Sequence, residues 1–316
     1  MSKKTLTKDQ KEKLKELEPL LRKASHNRNY EEATNLTFKI QNILRPTGHE
    51  TRLMKSKNTL FETAMECGKV DKAITGFIGV RSKVSKPTRL YLEATSLLAI
   101  CYLRKRDLNS ARPYMVEALK CEKHIKSKNQ RTQFKVALAK RFQDEAILSS
   151  LAIENTEDLD PTKIQEEAGS LICKKNEDEI YELLGSRVPN IALEFVEDVH
   201  RESQKLLTFE EKKLLPIHLE TKEKRKLGRS IISAFERVLW KALCDKDSDV
   251  YKMWFTNGMQ AFLDKKYITI AITTALSGLS IGVYAIAVYI SAIIIKMGIE
   301  TFCDLYKPTN LMDLRK

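Results

Sequence analysis

The residues with the clearest chemical potential are basic side chains that gather near the middle of the chain. Nine of them form two clusters, at positions 104–106 and 120–135: Arg104, Lys105, Arg106, Lys120, Lys123, Lys126, Lys128, Arg131 and Lys135. Cationic side chains at this density attract polyanions, and nucleic-acid binding through them weakens steeply as the salt concentration rises. We therefore predict a surface that binds an oligonucleotide or another polyanion, with anionic lipid headgroups as a further candidate. The alternative is a solvated, lysine-rich surface that binds no ligand.

Sequence motifs for catalysis and for metal binding are missing. There is no G-x-x-x-x-G-K-[ST] phosphate loop, no H-E-x-x-H motif and no cluster of cysteine and histidine with the spacing of zinc ligands. His200 shares a predicted helix with Glu194, Glu197 and Asp198, and a solvated acidic face accounts for these residues. We expect a protein that is not an enzyme and that uses no cofactor and no metal ion.

The elements that carry the basic residues are predicted to be helices. The 316-residue chain has only 11 glycines and 8 prolines, too few turn residues for a fold of many strands. Lys, Leu, Glu, Ala and Ile are abundant, and most of these residues favour helix. The fold class predicted from the sequence is all-α.

A helical pattern recurs in the first 125 residues. Ala33, Ala73 and Ala111 lie 40 and 38 residues apart, and each follows a short polar turn. Phe77 and Met115 come four positions after the second and third of these alanines. A period of this size indicates pairs of helices that bury their apolar faces by stacking on the next pair.

This pattern resembles the tetratricopeptide repeat. The best matches are these three: Tyr30 to Ala33 with Pro46, Gly68 to Ala73 with Phe77, and Asp107 to Ala111 with Met115. The period exceeds the usual 34 residues of that family, and the tryptophan of its first helix is missing from every unit. The resemblance implies an N-terminal α-solenoid with a concave surface for a partner; a generic α-solenoid fits the same residues.

Near its other end the chain has a long hydrophobic segment. From Tyr267 to Ile295 there is no charged residue in 29 positions, and lysines flank the run on both sides. As one helix it would reach roughly 40 Å, more than the about 30 Å of a bilayer's hydrocarbon core. We predict one transmembrane helix within residues 267–297. The alternative is a helix or a helical hairpin buried inside a soluble domain.

Small residues recur along this segment and predict a contact between helices. Gly278 and Gly282 form a G-x-x-x-G motif. The predicted face comprises Ala271, Ala275, Gly278, Gly282, Ala285 and Ala292. In lipid, helices associate through close backbone approach, so such a face predicts a homo-oligomer.

The six cysteines are widely spaced and form no C-x-x-C pair. They stand at Cys67, Cys101, Cys121, Cys173, Cys244 and Cys303. In a helical chain this spacing predicts reduced thiols, most of them buried as small apolar side chains.

Charge and hydropathy divide the chain into four predicted parts. Residues 1–150 carry a net charge of +16 (32 Lys and Arg against 16 Asp and Glu), and residues 151–200 carry −9 (4 against 13). We predict a basic helical-repeat domain over 1–153, a helical coupling region over 162–255, a transmembrane segment over 267–297 and a short C-terminal tail over 298–316.

The layout resembles bacterial antiphage effectors, which join a cytosolic sensor to a C-terminal membrane segment. That resemblance implies a protein of the bacterial inner membrane with its N-terminal domain in the cytoplasm. Such a protein senses a ligand, which in that class is often a nucleotide or oligonucleotide signal, and oligomerises to form a channel or disrupt the membrane. The alternative is a non-catalytic adaptor, tail-anchored or soluble, that binds a protein partner on its repeats. A third hypothesis is a nucleic-acid-binding regulator with a buried hydrophobic helix.

Overall fold

The computed structural model describes residues 4–152, 159–188, 190–215, 223–246, 251–252, 265–277, 279 and 281–306. Every regular element in these ranges is a helix, which confirms the all-α prediction. The chain divides into two compact units, residues 1–135 (unit 1) and residues 136–316 (unit 2). The division lies within one long helix, before the end of the basic domain that the sequence predicts over residues 1–153.

Unit 1 is built from pairs of helices. Its helices are α1 (Lys8–His26), α2 (Tyr30–Leu44), α3 (Glu50–Glu66), α4 (Val70–Lys83), α5 (Arg89–Arg104), α6 (Leu108–Leu119) and the first part of α7 (Lys128–Leu151). From α1 to α6 each helix packs against the next one, and α3 also contacts both α1 and α5. This nearest-neighbour packing is what stacked helix pairs require, since no single pair can bury its own apolar face.

The same turn joins the two helices of each pair. One residue in each turn has positive φ, in the left-handed region: Arg28 (53°), Gly68 (73°) and Arg106 (57°). Each stands five positions before one of the repeat alanines, Ala33, Ala73 and Ala111, which are all fully buried. In every turn the next backbone N–H donates to the carbonyl five residues back: Asn29 to Ala24, Lys69 to Ala64 and Asp107 to Tyr102, at 2.8–3.0 Å. These bonds are those of the Schellman motif, which closes the end of a helix.

Hydrogen bonds also connect equivalent turns of successive pairs. The Cys67 thiol donates to the Arg28 carbonyl at 3.0 Å, and the Arg104 guanidinium donates to the Met65 carbonyl at 2.7 Å. Both bonds join residues 39 positions apart, so they match the period of the repeat. The helix pairs are therefore in register with one another.

Unit 2 surrounds the hydrophobic segment with amphipathic helices. Besides the rest of α7, its helices are α8 (Pro161–Lys174), α9 (Glu177–Gly185), α10 (Asn190–Gln204), α11 (Phe209–Lys213), α12 (Lys224–Leu243), α13 (Lys265–Ser277), α14 (Tyr284–Met297) and α15 (Ile299–Leu305). Helix α14 packs against α8, α9, α13 and α15, and α13 also packs against α8 and α12. The two hydrophobic helices therefore contribute to the core of unit 2.

The transmembrane helix predicted within residues 267–297 is not confirmed as a single helix. The structure ends α13 at Ser277 and begins α14 at Tyr284. The intervening sequence includes Gly278 and Gly282, and glycine is a poor helix former. Because the helix is weak at these positions, the packing of α13 and α14 against the other helices of unit 2 is sufficient to interrupt it. Among the described residues no one helix has both the length and the composition of a membrane span; α14 and α15 reach that threshold together, across a bend of 93°.

Candidate functional sites

The first basic cluster holds unit 1 together. Arg104 donates to the Met65 carbonyl and pairs with Glu66 at 3.0 Å, and Lys105 pairs with Asp71 at 2.7 Å. Arg106 is exposed and occupies the left-handed position of its turn. Because the acidic partners lie on α3 and α4, these cations link two helix pairs, and the prediction that all three are ligand-binding residues stays untested.

The second basic cluster contains the exposed lysines. Arg131 donates to the carbonyls of Ile125 and Lys126, each at 3.0 Å, and Lys135 is buried. Lys120, Lys123 and Lys126 are exposed on the connection between α6 and α7, and Lys128 is exposed at the start of α7. Lys105 and Arg106 of the first cluster are exposed as well, but these four lysines lie together within nine positions, which suits a polyanion.

An arginine that the sequence reasoning missed joins three helices of unit 1. Arg81 on α4 donates to the Tyr91 hydroxyl at 2.7 Å and to Glu117 at 2.5 Å, and the Tyr91 hydroxyl also donates to Glu117. The guanidinium lies 4.9 Å and 4.8 Å from the ring centroids of Tyr91 and Tyr114. Burial, followed by the bond to Glu117, raises the pKa of Tyr91. These contacts form a structural junction between α4, α5 and α6.

The hydrophobic segment is buried along most of α14. Four isoleucines of this helix, at positions 286, 290, 293 and 294, are at most 1% exposed. At about 1.5–3 kcal/mol for each buried side chain, these residues dominate the energy that keeps α14 in place.

The predicted small-residue face lies mostly inside unit 2. Ala271 and Ala275 on α13 and Ala292 on α14 are buried, and Ala285 is half-buried. Gly282 lies in the break between the helices, and Gly278 lies outside the described residues. The face is therefore divided between two helices, and the predicted contact between copies requires α13 and α14 to leave their present positions.

Polar contacts tie α14 to the neighbouring helices at its beginning, middle and end. Tyr284 donates to Glu167 on α8 at 3.0 Å, and Arg187, just after α9, donates to Tyr289 at 3.4 Å. The Lys296 ammonium donates to the carbonyl of Lys175 at 2.7 Å. All three are exposed, so each contributes at most about 1 kcal/mol, and apolar burial remains the main restraint.

Two glycines allow α9 and α12 to cross with their backbones in contact. A Cβ atom at Gly185 would overlap the carbonyl of Lys224, and one at Gly228 would overlap the carbonyl of Tyr181. Asp178 on α9 accepts from Arg225 and Arg229 on α12, both at 2.8 Å. This close crossing fixes α12 against α9, which in turn covers α14.

A disulfide joins α15 to the end of α12. It links Cys244 and Cys303, whose Cα atoms are 5.5 Å apart, and corrects the prediction that these two thiols are reduced. The Trp240 indole N–H donates to the carbonyl of Cys303 at 3.0 Å, and Phe302 is fully buried. The sequence carries no local signal for this bond because 59 positions separate the two cysteines.

Charged residues of α7 and α12 form a largely buried network in unit 2. Lys140 pairs with Asp144 at 3.0 Å and with Glu236 at 3.6 Å. Burial raises the pKa of Asp144, and Lys140 opposes this change. Burial also raises the pKa of Glu236. These contacts link α12 to the part of α7 that belongs to unit 2.

In the part of the chain that the structure describes, no three or more His, Cys, Asp and Glu side chains are placed to hold a metal ion. A surface cavity of about 590 Å³ beside α9 and α12 includes Asp178, Arg225 and Arg229 in its lining. Asp178 is already paired with both arginines.

No family model, curated protein or solved structure matches the chain.

Proposed function

We propose that the protein is a non-enzymatic membrane effector whose hydrophobic segment is stored inside unit 2 until the unit opens. Unit 1, a tetratricopeptide-like solenoid, binds the ligand or partner, and residues 267–297 then enter the membrane. The observation that carries the proposal is a charge-free run of 29 residues whose two helices lie in the interior of an all-helical unit. Bacterial antiphage defence at the inner membrane, with unit 1 in the cytoplasm, is the setting to which the layout is similar.

Support for the sensing role comes from the repeats and from the exposed lysines. The recurring turns and their bonds across 39 positions favour a stacked array, which presents an extended surface for a ligand. The exposed lysines from Lys120 to Lys128 favour a polyanion such as an oligonucleotide. Replacing both Lys123 and Lys126 with Glu should weaken the binding of such a ligand and reduce its salt dependence.

Support for membrane entry comes from the composition of α13 and α14. Transfer of these helices from a protein interior to lipid exposes no apolar surface to water, so the main cost is the opening of unit 2. At 14 residues α14 is roughly 21 Å long, shorter than the about 30 Å that a span requires. The membrane form therefore needs a longer helix, so α14 must be extended by residues at one of its ends.

A channel requires several copies of the chain. One span cannot enclose a pore, so the small residues freed from the interior of unit 2 would form the contact between subunits. Ala271, Ala275 and Ala292 are the described members of the predicted face that become available in this way.

A second candidate function is supported by the polar contacts of α14. Because Tyr284, Tyr289 and Lys296 all bond to neighbouring elements, α14 also suits a permanently folded core. In that case the protein is an adaptor that binds a protein partner on unit 1 and leaves membranes intact.

Dye-loaded vesicles of phosphatidylethanolamine and phosphatidylglycerol separate the two functions. The effector proposal expects the purified full-length chain, with its disulfide reduced by dithiothreitol, to float with the vesicles and to release the dye, more so when a single-stranded oligonucleotide is added. Vesicles that stay intact and unbound with the reduced protein, both with and without the oligonucleotide, would contradict the effector and favour the adaptor.

A further inference from the structure

The bend between α14 and α15 is held from outside the hydrophobic segment. Gly298 has φ 84° and ψ 136°, a backbone conformation accessible essentially to glycine alone, and α15 turns away from α14 by 93°. The disulfide at Cys303 then ties α15 to the end of α12. As long as this bond is intact, α15 cannot swing out to continue the axis of α14.

Helix α15 controls the release of α14 and is not itself the missing part of the span. Residues 284–305 would make one helix of 22 positions, roughly 33 Å long, but Lys296 would lie near its centre and Glu300 and Asp304 in its second half. The charge-free residues before Tyr284 therefore complete the span, as the proposed function requires. The position of α15 decides whether the end of α14 is held in unit 2 or is free to leave it.

We propose that the Cys244–Cys303 disulfide is a redox latch that keeps α15 bent onto α12 and so retains α14 inside unit 2. This inference rests on the proposed membrane entry for its consequence, although the latch itself is a property of the folded chain. A disulfide that tethers a movable helix suits redox sensing, since disulfides in reducing compartments are usually transient or regulatory.

The chemistry of the latch is thiol–disulfide exchange. To open it, a dithiol reductant attacks one sulfur as a thiolate and forms a mixed disulfide, and its second thiol then displaces the protein sulfur. The protein bond gains two electrons and two protons and becomes two thiols, while the reductant becomes a disulfide. To close it, glutathione disulfide accepts the two electrons and two protons and leaves as two glutathione thiols. The sulfur of Cys303 is the expected point of attack, because this residue is half-buried whereas Cys244 is buried.

Other contacts of α15 do not depend on the disulfide and limit how far the helix moves once the bond is open. Phe302 and Ile299 are buried, and the Trp240 indole N–H donates to the carbonyl of Cys303. Reduction therefore lowers the barrier to the release of α14 but does not by itself expel this helix. Ligand binding is the second condition for its release.

Hydrogen–deuterium exchange of the full-length protein without lipid tests the latch. The oxidised protein should protect the amides of residues 294–306, and dithiothreitol should accelerate their exchange about tenfold or more through local opening. Glutathione disulfide should restore the protection. The Cys244→Ser and Cys303→Ser variants should each exchange as the reduced protein does, and Cys173→Ser, at an exposed free thiol, should respond as the wild type. Equal exchange in oxidised and reduced wild-type protein would overturn the latch, whether or not the serine variants fold.

Vesicle leakage under the same two conditions separates the latch from the proposed function. Leakage only after reduction supports both. If reduction releases α15 in the exchange experiment but the vesicles stay intact both with and without the oligonucleotide, the latch stands and the membrane proposal fails. Leakage that is equal for oxidised and reduced protein shows that the bond does not control entry and overturns the latch.

Discussion

Three glycines decide the geometry of unit 2 at the scale of single residues. Gly185 and Gly228 bring two helix backbones into contact, and Gly298 permits the bend between α14 and α15. None of them belongs to the G-x-x-x-G motif that the sequence makes prominent. The motif describes spacing on one helix, whereas the real contact joins glycines 43 positions apart on different helices.

A Gly228→Ala substitution tests this crossing. The added methyl group overlaps the Tyr181 carbonyl, so α12 must move, and we expect unit 2 to lose about 1–3 kcal/mol of stability by overpacking. Chemical denaturation followed by circular dichroism measures the change. Gly169→Ala on α8 is the matched control, since nothing lies within 4 Å of its Cβ position, and it should stabilise by up to about 1 kcal/mol. Equal effects of the two substitutions would show that the helices are not in backbone contact.

The buried carboxyl of Asp144 predicts a pH dependence. Burial raises its pKa in the folded state, so the folded chain holds the proton more tightly than the unfolded chain does, for which the pKa is about 3.9. The resulting contribution to stability is complete below that value and is lost as the pH rises through the folded pKa. Asp144→Asn should therefore lose less stability than the wild type as the pH rises from about 4 through the raised pKa of the folded state. Denaturation curves across this range check it, and identical pH profiles would contradict it.

At the scale of elements, the sequence predicts the paired helices well and the hydrophobic segment poorly. The repeat alanines mark their turns because apolar spacing and turn chemistry are local properties. The break before Tyr284 depends on helices α8, α9 and α12, which lie far away in sequence, so periodicity alone favours one long helix. For the same reason the sequence cannot separate cations that bind a ligand from those that pair with Glu66 or Asp71, 38 and 34 positions away.

Substitution of Arg104 measures the difference between a cation with a structural role and an exposed cation. Arg104→Ala removes the bonds to the Met65 carbonyl and to Glu66 and leaves a shielded carboxylate without this partner. We expect unit 1 to lose about 1.5–3 kcal/mol, as for hydrogen bonds to charged groups. Lys105→Ala removes an exposed pair and should cost much less than Arg104→Ala does. If thermal or chemical denaturation finds Arg104→Ala as mild as Lys105→Ala, the structural role of Arg104 is refuted.

At the scale of the whole molecule, the chain combines a unit of paired helices with a unit whose interior contains its most hydrophobic helices. Composition, charge and period predict an all-α fold and a recurring set of helix pairs, because these features reflect propensity and amphipathic spacing. The disulfide, the glycine crossing and the bent hydrophobic helix arise from contacts across tens of residues, which a single sequence does not reveal. The central claim is that residues 267–297 leave unit 2 for a membrane.

The most direct test adds one charge to this segment without disturbing the folded state. Thr274 is exposed on α13, so Thr274→Lys should preserve the stability of unit 2. In a membrane helix over residues 267–297 the same lysine would lie eight positions from the central residue 282, so it would cost less than the about 2.5–3.5 kcal/mol of a charge at the centre. Asn42→Lys adds an equal charge at an exposed position of α2 and serves as the control. We predict that reduced Thr274→Lys protein releases dye from vesicles more slowly than the Asn42→Lys control. Equal leakage from the two variants would contradict the account.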